Sequence, residues 1–316
     1  MPKVSVVVPN YNHASFLTQR IESIILQSYT DYELIILDDA SSDDSHNVIK
    51  RYANNSKVTR VVYNTENSGS PFAQWKCGVD LASGEYIWIA ESDDWAETTF
   101  LEKLVSILDN NPKIGLVYSD SIVHGENAET TTFSKLNNAF DQSKKWSSKY
   151  STTGHKELEK MAYFCTINNV SAVLFRKEAL LDIQLPTDFR FMGDWYVYVQ
   201  IAVKGWYIAY SNEILNNYRY HANNTTKKSY CNLHYVYERF ILANFIINNC
   251  AFINKSAIKN NLYEYTISSI LSMDDVLNVY RKCVQVNRKL AVAISCRYLM
   301  KLYKIRIKEI LSICFP

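Results

Sequence analysis

Two acidic clusters stand directly after apolar runs. Leu37 is followed by Asp38-Asp39-Ala40-Ser41-Ser42-Asp43-Asp44, and Ile89-Ala90 by Glu91-Ser92-Asp93-Asp94-Trp95. Such a pattern serves either of two ends. Asp and Ser make turns and cap helices. Alternatively, one carboxylate accepts a hydrogen bond from a base N–H while a close acidic pair holds Mg²⁺ or Mn²⁺ against a diphosphate. Two such clusters after two strand-like runs favour the second reading. A third acid, Asp194 in Phe191-Met192-Gly193-Asp194-Trp195, begins a helical pattern. Alone it reads as a cap or first-turn carboxylate. A fourth element, Tyr218-Arg219-Tyr220-His221, closes a strand-like segment, and its imidazole suits a metal or a phosphate.

Positioning these groups falls to alternating strands and helices. Val4–Val8 is a continuous β-branched run ended by Pro9, as expected of a strand buried on both faces. Leu17, Ile21, Ile24 and Ile25 recur at helical spacing. Glu33–Leu37 is a second strand, and Asp44 is placed to cap the helix carrying Val48, Ile49 and Tyr52. Arg60–Tyr63 follows as a short strand, and Ser70-Pro71 opens a helix with Pro at its first position. Tyr86–Ala90, the helical Phe100–Leu108 and Leu116–Tyr118 complete the first 120 residues. The alternation predicts an α/β fold with a mostly parallel sheet and ligands at the strands' carboxyl ends. The polar stretch 121–155 reads as a surface excursion near a second substrate. Strand character returns at Val170–Phe175 and Trp206–Tyr220 around a helix at Trp195–Val203, and beyond about residue 226 only helical patterns remain.

Composition narrows the class. The 316 residues are 47% hydrophobic and 21% charged, which excludes wholesale disorder. A net charge of +2 argues against a nucleic-acid binder acting through bulk charge. Seven scattered cysteines without a CxxC pair suit reduced thiols. With no signal-peptide layout and no run of 18 apolar residues, the chain is expected in the cytoplasm. Neither GxGxxG after the first strand nor GxxxxGK[ST] occurs, so dehydrogenase and P-loop readings lack their phosphate cradles.

Taken in order, the motifs resemble the family 2 inverting glycosyltransferases, in particular spore-coat-type members. The residues that carry the likeness are Pro9-Asn10-Tyr11-Asn12, Ile21-Glu22-Ser23-Ile24 with Gln27 and Tyr29, and Glu33–Ile36 leading to Asp38-Asp39. Asn67-Ser68-Gly69, Ala82–Ile87 and Glu91–Asp94 continue it, and the likeness covers about residues 3–225. It implies a GT-A (nucleotide-diphospho-sugar transferase) fold, a nucleotide-sugar donor, most simply a UDP-sugar, and Mn²⁺ or Mg²⁺. By resemblance, Pro9, Tyr11 and Asn12 line the nucleotide pocket and Asp39 binds the base. Asp93 and Asp94 occupy the D-x-D region and contact ribose, metal and diphosphate. Asp194 matches the general base, and His221 and Arg219 lie in the Tyr-Arg-x-His pattern near metal or diphosphate. Glu91 stands where many members have the first Asp of D-x-D, so its own role is open. The acceptor implied is a hydroxyl of a glycan or lipid-linked molecule in bacterial surface polysaccharide such as O-antigen, capsule or lipopolysaccharide. Two rivals are a sugar-nucleotide nucleotidyltransferase, whose Gly-rich basic loop is missing after the first strand, and a non-catalytic sugar- or nucleotide-binding subunit with a degenerate site.

The expected organisation is a GT-A domain over 1–225, with a nucleotide-sugar half at 1–120 and an acceptor half at 121–225. A helical region follows over 226–316. Its segment 281–316 holds nine Lys/Arg and one acid, Glu309, a charge of +8 that leaves −6 on the rest. Arg297, Lys301, Lys304 and Lys308 form one stripe of a helix, with Leu299, Leu302, Tyr303, Ile310 and Ile313 opposite. That pattern fits peripheral contact of 290–316 with anionic membrane, or packing on the domain or on a second copy in a homodimer.

Overall fold

The computed structural model describes residues 1–125, 130–221, 224, 232–269 and 273–314. It divides into two compact units, Met1–Ala222 and Asn223–Pro316. In the first, β1 (Val4–Asn10) is buried along its whole length, as its unbroken β-branched run requires. It is followed by α1 (Ala14–Ile25), β2 (Tyr32–Asp38), α2 (Ser45–Tyr52), β3 (Val58–Tyr63), α3 (Pro71–Leu81) and β4 (Tyr86–Ile89). Next come β5 (Trp95–Ala96), α4 (Phe100–Asp109), β6 (Ile114–Gly125), β7 (Thr131–Thr132), α5 (Phe133–Asp141) and β8 (Tyr150–Thr153). The unit finishes with α6 (Gly154–Met161), β9 (Val173–Arg176), α7 (Lys177–Leu181), α8 (Gly193–Val203) and β10 (Tyr207–Tyr220).

The sheet runs β3-β2-β1-β4-β9-β6-β10-β5. Its long ladders, β1–β2, β1–β4, β2–β3 and β6–β10, are parallel. The antiparallel pairings through β9, β5, β7 and β8 are short, so this is a mixed sheet, mostly parallel in its paired length. The carboxyl ends of β1, β2 and β4 therefore lie side by side, and the acidic clusters project from them. Beneath, Leu17, Ile21 and Ile24 of α1 and Leu101, Leu104 and Leu108 of α4 pack fully buried on Val6, Ile36 and Trp88. The Trp88 indole stacks on Phe100 at 4.3 Å and donates to Ser171 O, which ties β4 to the segment before β9.

Two local expectations change. The stretch 121–155 is not an excursion: β6 continues to Gly125, and β7, α5 and β8 add to the fold around it. Trp146 of this stretch is buried and donates to the Tyr118 hydroxyl, an anchor within an otherwise polar composition. Asp44 occupies the N-cap of α2 without a capping bond; Asp43 instead accepts from Ser45 N at 3.0 Å and from Ala14 N at 2.8 Å, serving two helix starts. Cys77, Cys165, Cys250, Cys283 and Cys296 are all outside disulfides.

The second unit is helical among its described residues: α9 (Leu233–Asn249), α10 (Lys255–Ser269) and α11 (Met273–Cys314), with α9 packed on both others. Asn287 breaks α11 with φ −156° and ψ 99°. Its Oδ1 accepts from Leu290 N at 3.1 Å and its Nδ2 donates to Asn244 at 2.8 Å, so it caps the second half of the helix. Arg297 of the basic stripe is exposed, donates to Asn260 and lies over the Tyr263 ring. The side chains of Leu299, Lys301, Leu302, Tyr303, Lys304, Lys308, Ile310 and Ile313 lie outside the described residues. No described helix is long and apolar enough to cross a membrane.

Candidate active site

The two loops after β1 and β2 are stitched together before any ligand is considered. Asn10 Nδ2 donates to Asp38 at 2.8 Å, and Asn12 N donates to Ser41 Oγ at 2.9 Å. Asn12 adopts a left-handed φ of 56°, tolerable for Asn, and its Oδ1 accepts from Ser42 N at 2.7 Å. Its side-chain oxygen is thus spent on the loop rather than presented to a nucleotide. Pro9, expected to line the pocket, is buried within β1. Tyr11, 47% exposed beside them, is the open aromatic surface.

Asp39 is 4% exposed, and its carboxylate accepts from Asn64 Nδ2 (2.7 Å), Gln74 Nε2 (2.8 Å), Ser68 Oγ (2.8 Å), Ser68 N (3.0 Å) and Asn67 Nδ2 (3.1 Å). It organises the loop leading into α3, and a base N–H reaching this carboxylate must share it with those donors. The same loop is fastened ahead of α8, where Ser70 Oγ donates to Phe189 O.

The segment after β4 separates its carboxylates by partner. Asp93 meets His221 Nε2 at 3.1 Å, and His13, Asp93 and His221 place one ligand atom each within 4.8 Å of one another. His13 Nδ1 bonds Ser92 Oγ at 2.8 Å, which fixes its ring. Asp94, expected as a metal ligand, is absent from that group. It accepts from Asn169 Nδ2 at 3.0 Å and from Arg219 N at 3.0 Å, and is 2% exposed. It is a buried brace between the acidic loop and β10. Glu91 accepts from Trp75 Nε1 at 2.8 Å. Arg219 is braced too: Nε donates to Asp93 O at 2.9 Å, one terminal nitrogen donates to Gln19 at 2.6 Å, and the guanidinium sits between Phe16 and Trp95. Asp194 lies in the first turn of α8, where a negative charge is favoured. Its helix start abuts the same surface, because a Cβ on Gly193 would come within 2.5 Å of the Phe72 ring. Phe72 in turn meets Trp75, the donor to Glu91, at 4.8 Å between ring centroids.

One charge was invisible to motif reading. Arg20, fully buried on α1, donates from Nε to Glu91 O at 2.7 Å and lies 5.6 Å from the Trp88 ring. Both its terminal nitrogens lack a hydrogen-bond partner. Burial lowers its pKa to about 10, so it remains a cation at neutral pH beneath Glu91, Asp93 and Asp94. His13 was likewise missed, although it directly follows the Pro9–Asn12 motif.

Ionisation follows the same split. Burial, then the charge of Asp93, pushes Asp94 up to about 7 and Glu91 up to about 8. Burial acts on Asp93 too, but the His221 hydrogen bond and the nearby His13 hold it below its ordinary value. Asp93 is therefore the member of the pair that more readily carries the charge. A carboxyl whose folded pKa is raised binds its proton more tightly in the native state, so its stabilisation is complete below the unfolded value and is lost as pH climbs. The metal-free protein should show a falling Tm from about pH 5 to pH 8, and Glu91→Gln should flatten that fall. A Tm profile identical in the variant would contradict the assignment.

Sequence comparison decides the family: residues 5–180 match the model of glycosyl transferase family 2. The chain belongs to that family. Among its relatives, a putative teichuronic acid biosynthesis glycosyltransferase of Bacillus subtilis is 34% identical over 107 residues, covering 34% of this chain and 42% of the relative. This family 2 chain spans less than half the length of the curated relatives it first matches. The fold is that of S. aureus TarS 1–349 in complex with UDP-GlcNAc, with TM-score 0.66 and 17% identity over 92% of this chain and 83% of that one. It is also that of the Pyrobaculum calidifontis mannosyltransferase in complex with GDP-Man and Mn²⁺, with TM-score 0.60 and 16% identity over 97% and 81%. The family 2 match and these neighbours place the chain in the GT-A-like class of folds.

Proposed function

We propose that this chain transfers a sugar, with inversion, from a nucleotide-diphosphate donor to a hydroxyl of a glycan or lipid-linked acceptor in bacterial surface-polysaccharide synthesis. The observation that carries the reading is the convergence of His13, Asp93 and His221 beside the carboxyl ends of β1 and β4. Two imidazoles and a carboxylate form a donor set that fits a divalent transition ion, and the imidazoles favour Mn²⁺ over Mg²⁺. A cation held by these three residues supplies positive charge against the departing diphosphate.

The remaining roles belong to the chain itself. Tyr11 offers a face for the base, and the Asp39 carboxylate takes a base N–H in place of one of its loop donors. Arg219 and Asp94 hold Asp93 in place, while Arg20 offsets the charge gathered above it. Asp194 takes the proton of the acceptor hydroxyl as that oxygen attacks the anomeric carbon from the face opposite the diphosphate. No covalent intermediate is needed, in keeping with inversion. UDP is favoured as carrier because TarS, which shares the fold, is described with UDP and UDP-GlcNAc.

The test is nucleotide release from UDP-, GDP- and dTDP-sugars with Mn²⁺, Mg²⁺ or EDTA. Slow hydrolysis of one donor, faster with Mn²⁺ than with Mg²⁺ and abolished by EDTA, is expected. Full activity in EDTA would contradict the metal role, and no nucleotide binding with any metal would contradict the reading as a whole.

A further inference from the structure

A cleft between β6, α5 and the segment 167–172 has no part in the chemistry above. With the open solvent in front of it included it spans ≈250 Å³, and Phe133 and Asn168 are among its lining residues. Its floor is nearly closed, with Ser119 at 3% and Trp146 and Tyr210 each at 2% exposure. The aromatic wall is held rigid: Trp146 Nε1 donates to the Tyr118 hydroxyl at 2.9 Å, and Tyr118 meets Tyr210 at 4.8 Å between ring centroids.

Two polar groups in this floor are under-used. Ser119 Oγ is buried without a hydrogen-bond partner among the described residues. Asp120, 5% exposed, accepts from Ser121 N at 2.9 Å and Ser134 N at 3.0 Å, both on Oδ1, which leaves Oδ2 without a donor among the described residues. Buried polar atoms in native proteins normally find partners, so both atoms ask for an outside hydroxyl. A carboxylate oxygen takes only donors, a serine hydroxyl gives and takes, and flanking aromatic faces suit C–H surfaces. Together these describe a polyol or sugar hydroxyl. The cleft also communicates with the acidic loop, because Asn169 lines it and donates to Asp94 at 3.0 Å.

We propose that this cleft is an acceptor subsite that takes a hydroxyl-bearing arm of a sugar or alditol, with Asp120 Oδ2 and Ser119 Oγ as its polar contacts. The proposal rests on the transferase reading, which supplies the reason for an acceptor to dock beside Asp94. Saturation-transfer NMR on the full chain, without donor or metal, tests it with methyl β-D-glucopyranoside and ribitol as ring and open-chain probes. Transfer to at least one probe is expected, with Kd raised about tenfold in Asp120→Asn and in Ser119→Ala by loss of a hydrogen bond in a dry site. Ser119→Ala removes a hydroxyl that bonds nothing among the described residues, so it keeps the test valid if Asp120→Asn disturbs α5. Transfer to neither probe, or equal transfer in the variants, would mean that the cleft holds water only and would overturn the proposal. Failure of the transferase reading shows separately, as absence of metal-dependent donor hydrolysis by the wild-type chain.

Discussion

Replacing Asp93 by Asn is expected to lower metal-dependent donor turnover by about 10²–10³-fold, the scale of losing one well-placed electrostatic contact to the departing charge. Three features make Asp93 the sensitive position rather than its neighbour. It is the carboxylate facing His221, at 3.1 Å, and it stands within the His13–Asp93–His221 group. It is also the member of its pair that keeps its charge, held below the ordinary carboxylate range while Asp94 is pushed up to about 7. Asn preserves the shape and removes the charge, so folding should survive and donor affinity in Mn²⁺ should fall with turnover. The control is Asp94→Asn. Its carboxyl already receives hydrogen bonds from Asn169 and Arg219, so its effect should fall mainly on thermal stability. If Asp94→Asn abolished Mn²⁺-dependent turnover while Asp93→Asn retained it, the division of labour derived from the geometry would be reversed.

Asp194→Asn is expected to lower transfer by about 10²–10⁴-fold, the usual worth of a positioned general base. Its signature should differ from that of Asp93→Asn. Asp194 sits at the start of α8 and outside the His13–Asp93–His221 group, so Mn²⁺ and nucleotide affinities should stay near those of the wild type. An acceptor hydroxyl must lose its proton for transfer, and only that step lacks its base in the variant. Rates measured with saturating donor should therefore fall while nucleotide Kd holds. Unchanged transfer in Asp194→Asn would remove Asp194 as the proposed base.

Much of the scaffold was legible because it is local. Val4–Val8 can only be a doubly covered strand, and Ser70-Pro71 marks the start of α3. The acidic clusters betrayed the carboxyl ends of β2 and β4 because polar runs after buried strands must lie at an edge. What sequence did not disclose depends on partners far apart in the chain. Asp93 and Asp94 are adjacent in sequence yet take different partners, Asp93 meeting His221 and Asp94 accepting from Asn169 and the backbone of Arg219, 75 and 125 residues away. Arg20 looks like an ordinary polar residue on a helix until the fold lays it under Glu91. His13 gains meaning only when β10 brings His221 beside it. The strand and helix content of 121–155 was hidden because its surface is polar while its buried anchors, Tyr118, Trp146 and Tyr150, are few and widely spaced.

The central claim, that His13, Asp93 and His221 together hold the divalent ion used in sugar transfer, is tested most directly by titrating Mn²⁺ into the metal-free chain with UDP present. Free Mn²⁺ would be followed by its paramagnetic resonance signal, in the wild type and in His13→Ala. One tight site in the wild type, weakened by about tenfold or more in His13→Ala, is the predicted result. A His13→Ala titration superimposable on the wild type would contradict it.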